Sequence, residues 1–111
     1  MYIYIPTLFL KGIHGGFILI ACSSQKVKEG KIVKVEVEFD NVITKVKITG
    51  DFFLHPEDVL DDIERSLPGL KIDAGFEALV SEIHKIVNDH DAQMVGISPE
   101  SLALSIQEAL K

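Results

Sequence analysis

One cysteine and no tryptophan in 111 residues set the first limits on this chain. Cys22 alone permits no internal disulfide and gives zinc or an iron–sulfur group no thiolate cluster, so the fold must rest on its packed core. No stretch reaches the ~20 apolar residues that a membrane-spanning helix needs, and no membrane association is expected. Basic residues are also scarce. Eleven Lys and Arg face 17 Asp and Glu, giving a net charge of −6, and no basic-aromatic stripe is present; nucleic acid is therefore a poor partner. The Gly-x4-Gly-Lys-Ser/Thr spacing of a phosphate loop is absent, which leaves nucleotide binding by this chain alone without support. His84, Asp89, His90 and Asp91 are the only grouping with metal-site or acid–base residue types. The two histidines are six residues apart across an expected helix end, unlike an i,i+4 zinc pair, and are read as structural.

What is present suits one small domain. At 47% hydrophobic content the chain can bury a core without crosslinks, though with little stability to spare. A lone cysteine makes a cytoplasmic, reducing setting the default. The counter-signal is Leu19-Ile20-Ala21-Cys22-Ser23, which resembles the lipobox of bacterial lipoproteins. Its apolar stretch, Phe17 to Ala21, is short, and Pro6, Gly12, Gly15 and Gly16 interrupt the residues before it. Charge is unevenly spread. Residues 26–47 hold six lysines and four acids, whereas residues 51–111 hold four bases and thirteen acids. A basic segment beside an acidic body is suited to a carboxylate, a phosphate or an acidic protein surface, or else forms a solvated strand face.

Residues 1–25 read as a leader. Tyr2 to Ile5, Thr7 to Leu10 and Phe17 to Ile20 are β-prone, with Gly15-Gly16 able to turn the chain; an extra hairpin and an upstream start codon both fit. With no chemistry in it, the segment 1–22 is expected to be dispensable for activity. From Lys31 the pattern sharpens. Val33, Val35, Val37 and Phe39 mark one face of a strand and Lys34, Glu36 and Glu38 the other. Asp40-Asn41 turns the chain into a second strand, Val42 to Thr49, with Val46 and Ile48 inward and Lys45 and Lys47 outward. A short third strand over Phe52 to Leu54 is allowed.

Three helices are predicted next. The first opens at Pro56 and carries Val59, Leu60, Ile63 and Leu67 on one stripe. Asp73 caps a second with Phe76, Leu79, Val80, Ile83 and Val87. Ser98-Pro99-Glu100 opens a third with Leu102, Ala103, Ile106 and Leu110. One sticky face per helix and a hairpin-based sheet define an α+β domain of two layers.

Two segments draw interest as sites. Gly50, Asp51, Phe52 and Phe53 lie where strand meets helix: Gly50 permits a bend, Asp51 can hold backbone amides, and the two rings suit a core or an interface. In Lys26-Val27-Lys28-Glu29-Gly30-Lys31, Gly30 permits close backbone approach and the ammonium groups can compensate an anion. His55 is read as a cap for the first helix or a neighbour of the rings.

Lys26-x-x-x-Gly30-Lys31-Ile32-Val33-Lys34-Val35, then Ile48-Thr49-Gly50-Asp51-Phe52-Phe53 with Pro56-Glu57, then Val95-Gly96-Ile97-Ser98-Pro99-Glu100-Ser101-Leu102-Ala103, together resemble the C-terminal accessory domain of lipoate-protein ligases. That includes the archaeal bipartite form, in which the domain is a separate small subunit. The resemblance covers residues 26–111. It implies a fold similar to the iron–sulfur scaffold and sulfur-acceptor domains, although Cys22 lies outside the match and argues against cluster assembly. It also implies a noncatalytic partner of a ligase catalytic subunit that itself binds ATP, magnesium and lipoate. The pair would form lipoyl-adenylate and lipoylate a carrier protein, which this chain meets only indirectly. Lys26, Gly30 and Lys31 match the family's lysine-glycine-glycine-lysine segment near the adenylate, with Glu29 in place of the first glycine. The competing reading is a stand-alone protein-binding module or lipid-anchored lipoprotein.

Overall fold

The computed structural model describes residues 2–3, 9–13 and 16–110. Its elements in order are β1 (Tyr2–Ile3), β2 (Phe9–Ile13), β3 (Gly16–Lys26), β4 (Ile32–Phe39), β5 (Ile43–Gly50), β6 (Phe53–His55), α1 (Asp58–Ser66), α2 (Phe76–Asp89), β7 (Gln93–Val95) and α3 (Pro99–Leu110). The alternation in β4 turns Val33, Val35, Val37 and Phe39 into the core, while Lys34 and Glu36 stay exposed. β5 answers from the next position, pairing Val37 with Val46 and Val35 with Ile48. Its ladder slips once. Glu38 faces Lys45 but Phe39 faces Ile43, so Thr44 is an extra residue, and its hydroxyl donates to the Glu38 carbonyl at 2.9 Å. That bulge lets Ile43 and Val46, three apart, both point inward.

β3 completes an antiparallel β3–β4–β5 meander, running from Leu19 opposite Phe39 to Lys26 opposite Ile32. On its other side β1 pairs at the Ser24–Gln25 end and β2 at the Gly16–Ile20 end. The β2–β3 pairing is the extra hairpin that the leader allowed; residues 4–8 and 14–15, which include parts of the expected strands and turn, lie outside the described residues. The boundary expected after residue 25 falls inside β3. Ala21, Ser23 and Gln25 of this strand are buried. Two of them are polar, and α3 satisfies both: Ser23 donates to the Ser105 carbonyl at 2.9 Å and Gln25 Nε2 to the Ser105 hydroxyl at 2.7 Å. Buried polar groups survive only with such partners, which explains why this strand shows no apolar alternation.

The helices cover one layer. α3 packs on β3 and β4, α1 on β5, and α2 joins α1 to α3. Val59, Ile63 and Leu67, Leu79 and Ile83, and Leu102, Ala103 and Ile106 are the buried positions of the three predicted stripes. Ser98 and Ser101 begin α3 reciprocally: the Ser98 hydroxyl accepts the Ser101 N–H at 3.1 Å and the Ser101 hydroxyl accepts the Ser98 N–H at 2.9 Å. The start of α2 departs from expectation. Gly75, at φ +92°, is its N-cap and no side chain caps it, so Asp73 lies two residues too early to serve. The short strand after the bend also goes elsewhere, because β6 pairs with β7 in a separate two-stranded sheet. The free side of β5 is closed by other means. Ile43 N–H donates to Leu70 O and Gly69 N–H to Ile43 O, each at 2.8 Å, and Ile48 N–H donates to the Glu64 carboxylate at 2.6 Å.

Candidate functional site

Lys26 ends β3, and Val27 to Lys31 form the turn into β4. Val27 N–H donates to Lys31 O and Gly30 N–H to Val27 O, both at 2.9 Å. Gly30 has φ +102° with open space around it, so the hairpin turn itself demands the left-handed residue here. Glu29 is exposed on this turn, as are Lys26, Lys28 and Lys31. Asp51 holds the base of the turn: Ile32 N–H donates to its carboxylate at 2.7 Å, and its own N–H returns to Ile32 O at 3.3 Å. The amide it was expected to hold therefore lies across the hairpin, nineteen residues away. Gly50 makes room for this closure, since a Cβ there would strike Ile32 O and the Phe52 ring. Replacing Asp51 with Ala should cost about 1 kcal/mol of stability, one net hydrogen bond at a site water can reach. Amide exchange at Ile32 should quicken with it.

The two rings of the bend part company. Phe52 is half-buried against the core, whereas Phe53 is 69% exposed. Phe53 stands opposite Val95 in the small sheet, and Val95 is 60% exposed, so an aromatic and a branched aliphatic side chain form one apolar platform. A hollow of about 430 Å³ lies beside it, lined in part by Phe52, Phe53, Leu60 and Glu57. Gly96, next to Val95, has φ +81°, and a Cβ on it would collide with Lys31 Cγ. The stem of Lys31 thus lies on the backbone between β7 and α3. Two segments 65 residues apart in sequence, the lysine turn and the approach to α3, are in contact here, and spacing alone could not have revealed it.

The histidines do not converge. His84 Nε2 lies 2.8 Å from Glu100, while His90 holds Ile86 O at 3.0 Å and Asp62 at 3.1 Å. Among the described residues no group of three metal-ligating side chains forms. His55 is exposed in β6, and α1 has no side-chain cap. Cys22 sits mid-strand opposite Glu36, and burial, with that carboxylate's charge, pushes its thiol above the ordinary value. No helix among the described residues is long and apolar enough to cross a membrane.

The hydrogen bond from His84, with smaller help from its own backbone N–H and the Lys28 charge, holds the Glu100 carboxyl below the usual carboxylate range. A lowered native pKa gives stability that is complete above the unfolded pKa and is lost as pH falls through the native one. The stability difference between the wild type and Glu100→Gln should therefore be level between about pH 5 and pH 6 and shrink on further acidification, unfolded glutamate titrating near ~4.3. Urea titrations between pH 3 and pH 6 would check this.

No family model and no curated protein matches this chain. Among solved structures it is similar to a chain from an archaeal lipoylation system, described as a bi-partite lipoate protein ligase and its E2 lipoyl domain from Thermoplasma acidophilum. The likeness has a TM-score of 0.62 and 27% identity, and covers 96% of this chain and 98% of that one. The chain is thus related to a component of a lipoylation system.

Proposed function

We propose that this chain is the accessory subunit of a two-part lipoate ligase and carries no catalytic group of its own. The observation that carries the reading is the end-to-end likeness to a chain of a bi-partite ligase system, a chain of about this one's length. The contact between the lysine turn and the Gly96 segment supports it, because two of the three stretches that carry the family resemblance meet there. In this reading the catalytic subunit holds ATP, magnesium and lipoate. The Phe53–Val95 platform docks on that subunit and the lysine turn approaches the adenylate. Closing a site in this way orders its loops and keeps water from the reactive mixed anhydride. The carrier protein meets the assembled pair rather than this chain alone, and the setting is cytoplasmic.

The test is reconstitution with the ligase catalytic subunit from the same organism. Lipoate-dependent pyrophosphate release should be absent from this chain alone and restored in the mixture. Pyrophosphate release by the isolated chain, or a lipoyl group found on one of its own lysines by mass spectrometry, would refute the accessory role. In the pair, Lys26→Ala and Lys31→Ala should each lower the adenylation rate about tenfold, the equivalent of ~1.4 kcal/mol for one charge-assisted contact. Folding should change by no more than ~0.5 kcal/mol, as is usual for exposed side chains. Glu29→Gly should leave the rate unchanged or raise it, since it removes a negative charge from the turn.

A further inference from the structure

A second concavity lies away from the Phe53–Val95 platform, between the lysine turn and α3. It encloses about 500 Å³, within the ~300–1,000 Å³ range typical of small-molecule sites, and its exposed lining is mostly apolar. Val27 and Phe76 contribute to it, together with Leu104, which is 44% exposed on a helix whose other leucines and isoleucine turn inward. Glu100, Leu104 and Glu108 follow one another at four-residue spacing along α3 and all line this groove. On the facing wall Lys26, Val27 and Lys28 follow in sequence.

The charges on the two walls are differently committed. The Glu100 carboxylate is held at 2.8 Å by His84. Among the described residues neither Lys26 nor Lys28 makes an ion pair within 4 Å. The groove therefore combines an apolar wall with two ammonium groups that make no ion pair; Lys28 acts on Glu100 only from beyond 4 Å, and Glu108 has a partner of its own. Its direction is set as well. Gln25 bonds Ser105 while the charge of Lys28 acts on Glu100, so β3 and its turn run opposite to α3 and place Lys28 at the helix start. From Glu100 to Glu108 the helix rises about 12 Å at ~1.5 Å per residue, room for an extended acyl chain of medium length leading away from the lysines.

We propose that this groove binds a medium-chain aliphatic carboxylate, its carboxylate on Lys26 and Lys28 and its chain along Val27, Phe76 and Leu104. The ligand class follows from the groove; that such an acid is also what the ligase activates rests on the function proposed above. A site here would collect the acid on the accessory subunit, outside the pocket of the catalytic subunit.

Octanoate titrated into the full-length, isotope-labelled chain is the probe, with amide shifts followed by NMR. Saturable shifts grouped at residues 25–28 and 100–104 are expected, with octanol at least tenfold weaker. Lys26→Gln with Lys28→Gln should weaken octanoate about tenfold and leave octanol unchanged, and Leu104→Asn should weaken both. Absence of saturable shifts, equal binding of octanol and octanoate, or indifference to the lysine pair would overturn the proposal. So would a result in which only the catalytic subunit perturbs these amides, since the groove would then be a protein interface. The two readings fail separately. Octanoate binding without restored adenylation would sink the ligase role and keep the groove, and restored adenylation without octanoate binding would do the reverse.

Discussion

A chain lacking residues 1–22 is expected to lose cooperative folding. The deletion removes Gly16 to Cys22 from β3, and with them the pairs Leu19–Phe39, Ile20–Glu38, Ala21–Val37 and Cys22–Glu36. Val37 and Phe39, buried in the intact chain, are left on an uncovered strand edge. Re-exposing side chains of this kind costs up to ~1.5–3 kcal/mol each, and each lost cross-strand pair adds ~0.2–1 kcal/mol. Against a typical total of ~5–15 kcal/mol that is a large share. The remaining anchors, Ser23 and Gln25, would hang from a frayed terminus. Urea unfolding followed by circular dichroism should show a broad transition at much lower denaturant. A sharp transition at the wild-type midpoint would restore the view of these residues as a dispensable leader.

Phe53→Asp and Val95→Asp should each weaken association with the ligase catalytic subunit strongly while the isolated chain melts almost as the wild type does. Both side chains are mostly exposed in the free chain, so little core packing is lost. In a complex they would be central apolar anchors. A buried aspartate without a partner there, added to the lost contact, should cost at least ~2 kcal/mol, or about thirtyfold in affinity. Phe52→Ala provides the contrast. Its half-buried ring packs on the core, so the loss should fall on stability, at or below the ~3–5 kcal/mol usual for a fully buried phenylalanine. Calorimetric melting of each variant beside a binding titration separates the cases. Normal binding by both aspartate variants would remove the platform from the interface.

Where the sequence was legible, the cause was a single local period. The helices were visible because Val59, Ile63 and Leu67, or Leu102, Ala103 and Ile106, repeat at helical spacing and need only one neighbouring layer. The β4–β5 hairpin was visible through the alternation of Val33 to Phe39 and of Val46 with Ile48. β3 was visible only over Phe17 to Ile20, because its inward positions 23 and 25 are polar and become acceptable only through Ser105, about eighty residues away. The cap of α2 was misplaced for a smaller reason: Asp73 has the right chemistry, but the backbone turns at Gly75. At the candidate site, Gly50 and Asp51 were readable as a bend, and the parting of Phe52 and Phe53 follows from side chains alternating along an extended segment. The partner of Phe53 on a three-residue strand, the contact of Lys31 with Gly96 and the place of Leu104 in a groove are products of topology, to which no short pattern corresponds.

The carboxylate of Glu64 on the Ile48 amide gives the acidic first helix a task beyond keeping the molecule dissolved. An outermost strand with unmet amides invites another chain to stitch itself on, the first step towards fibres. Here one end of that strand is occupied by the loop at Gly69 and Leu70, and the other by a charge that an incoming strand would have to displace and desolvate. Growth of the sheet by β5 is thereby discouraged even at high concentration. The apolar platform on the small sheet can stay open for a partner while this border remains shut to copies of itself.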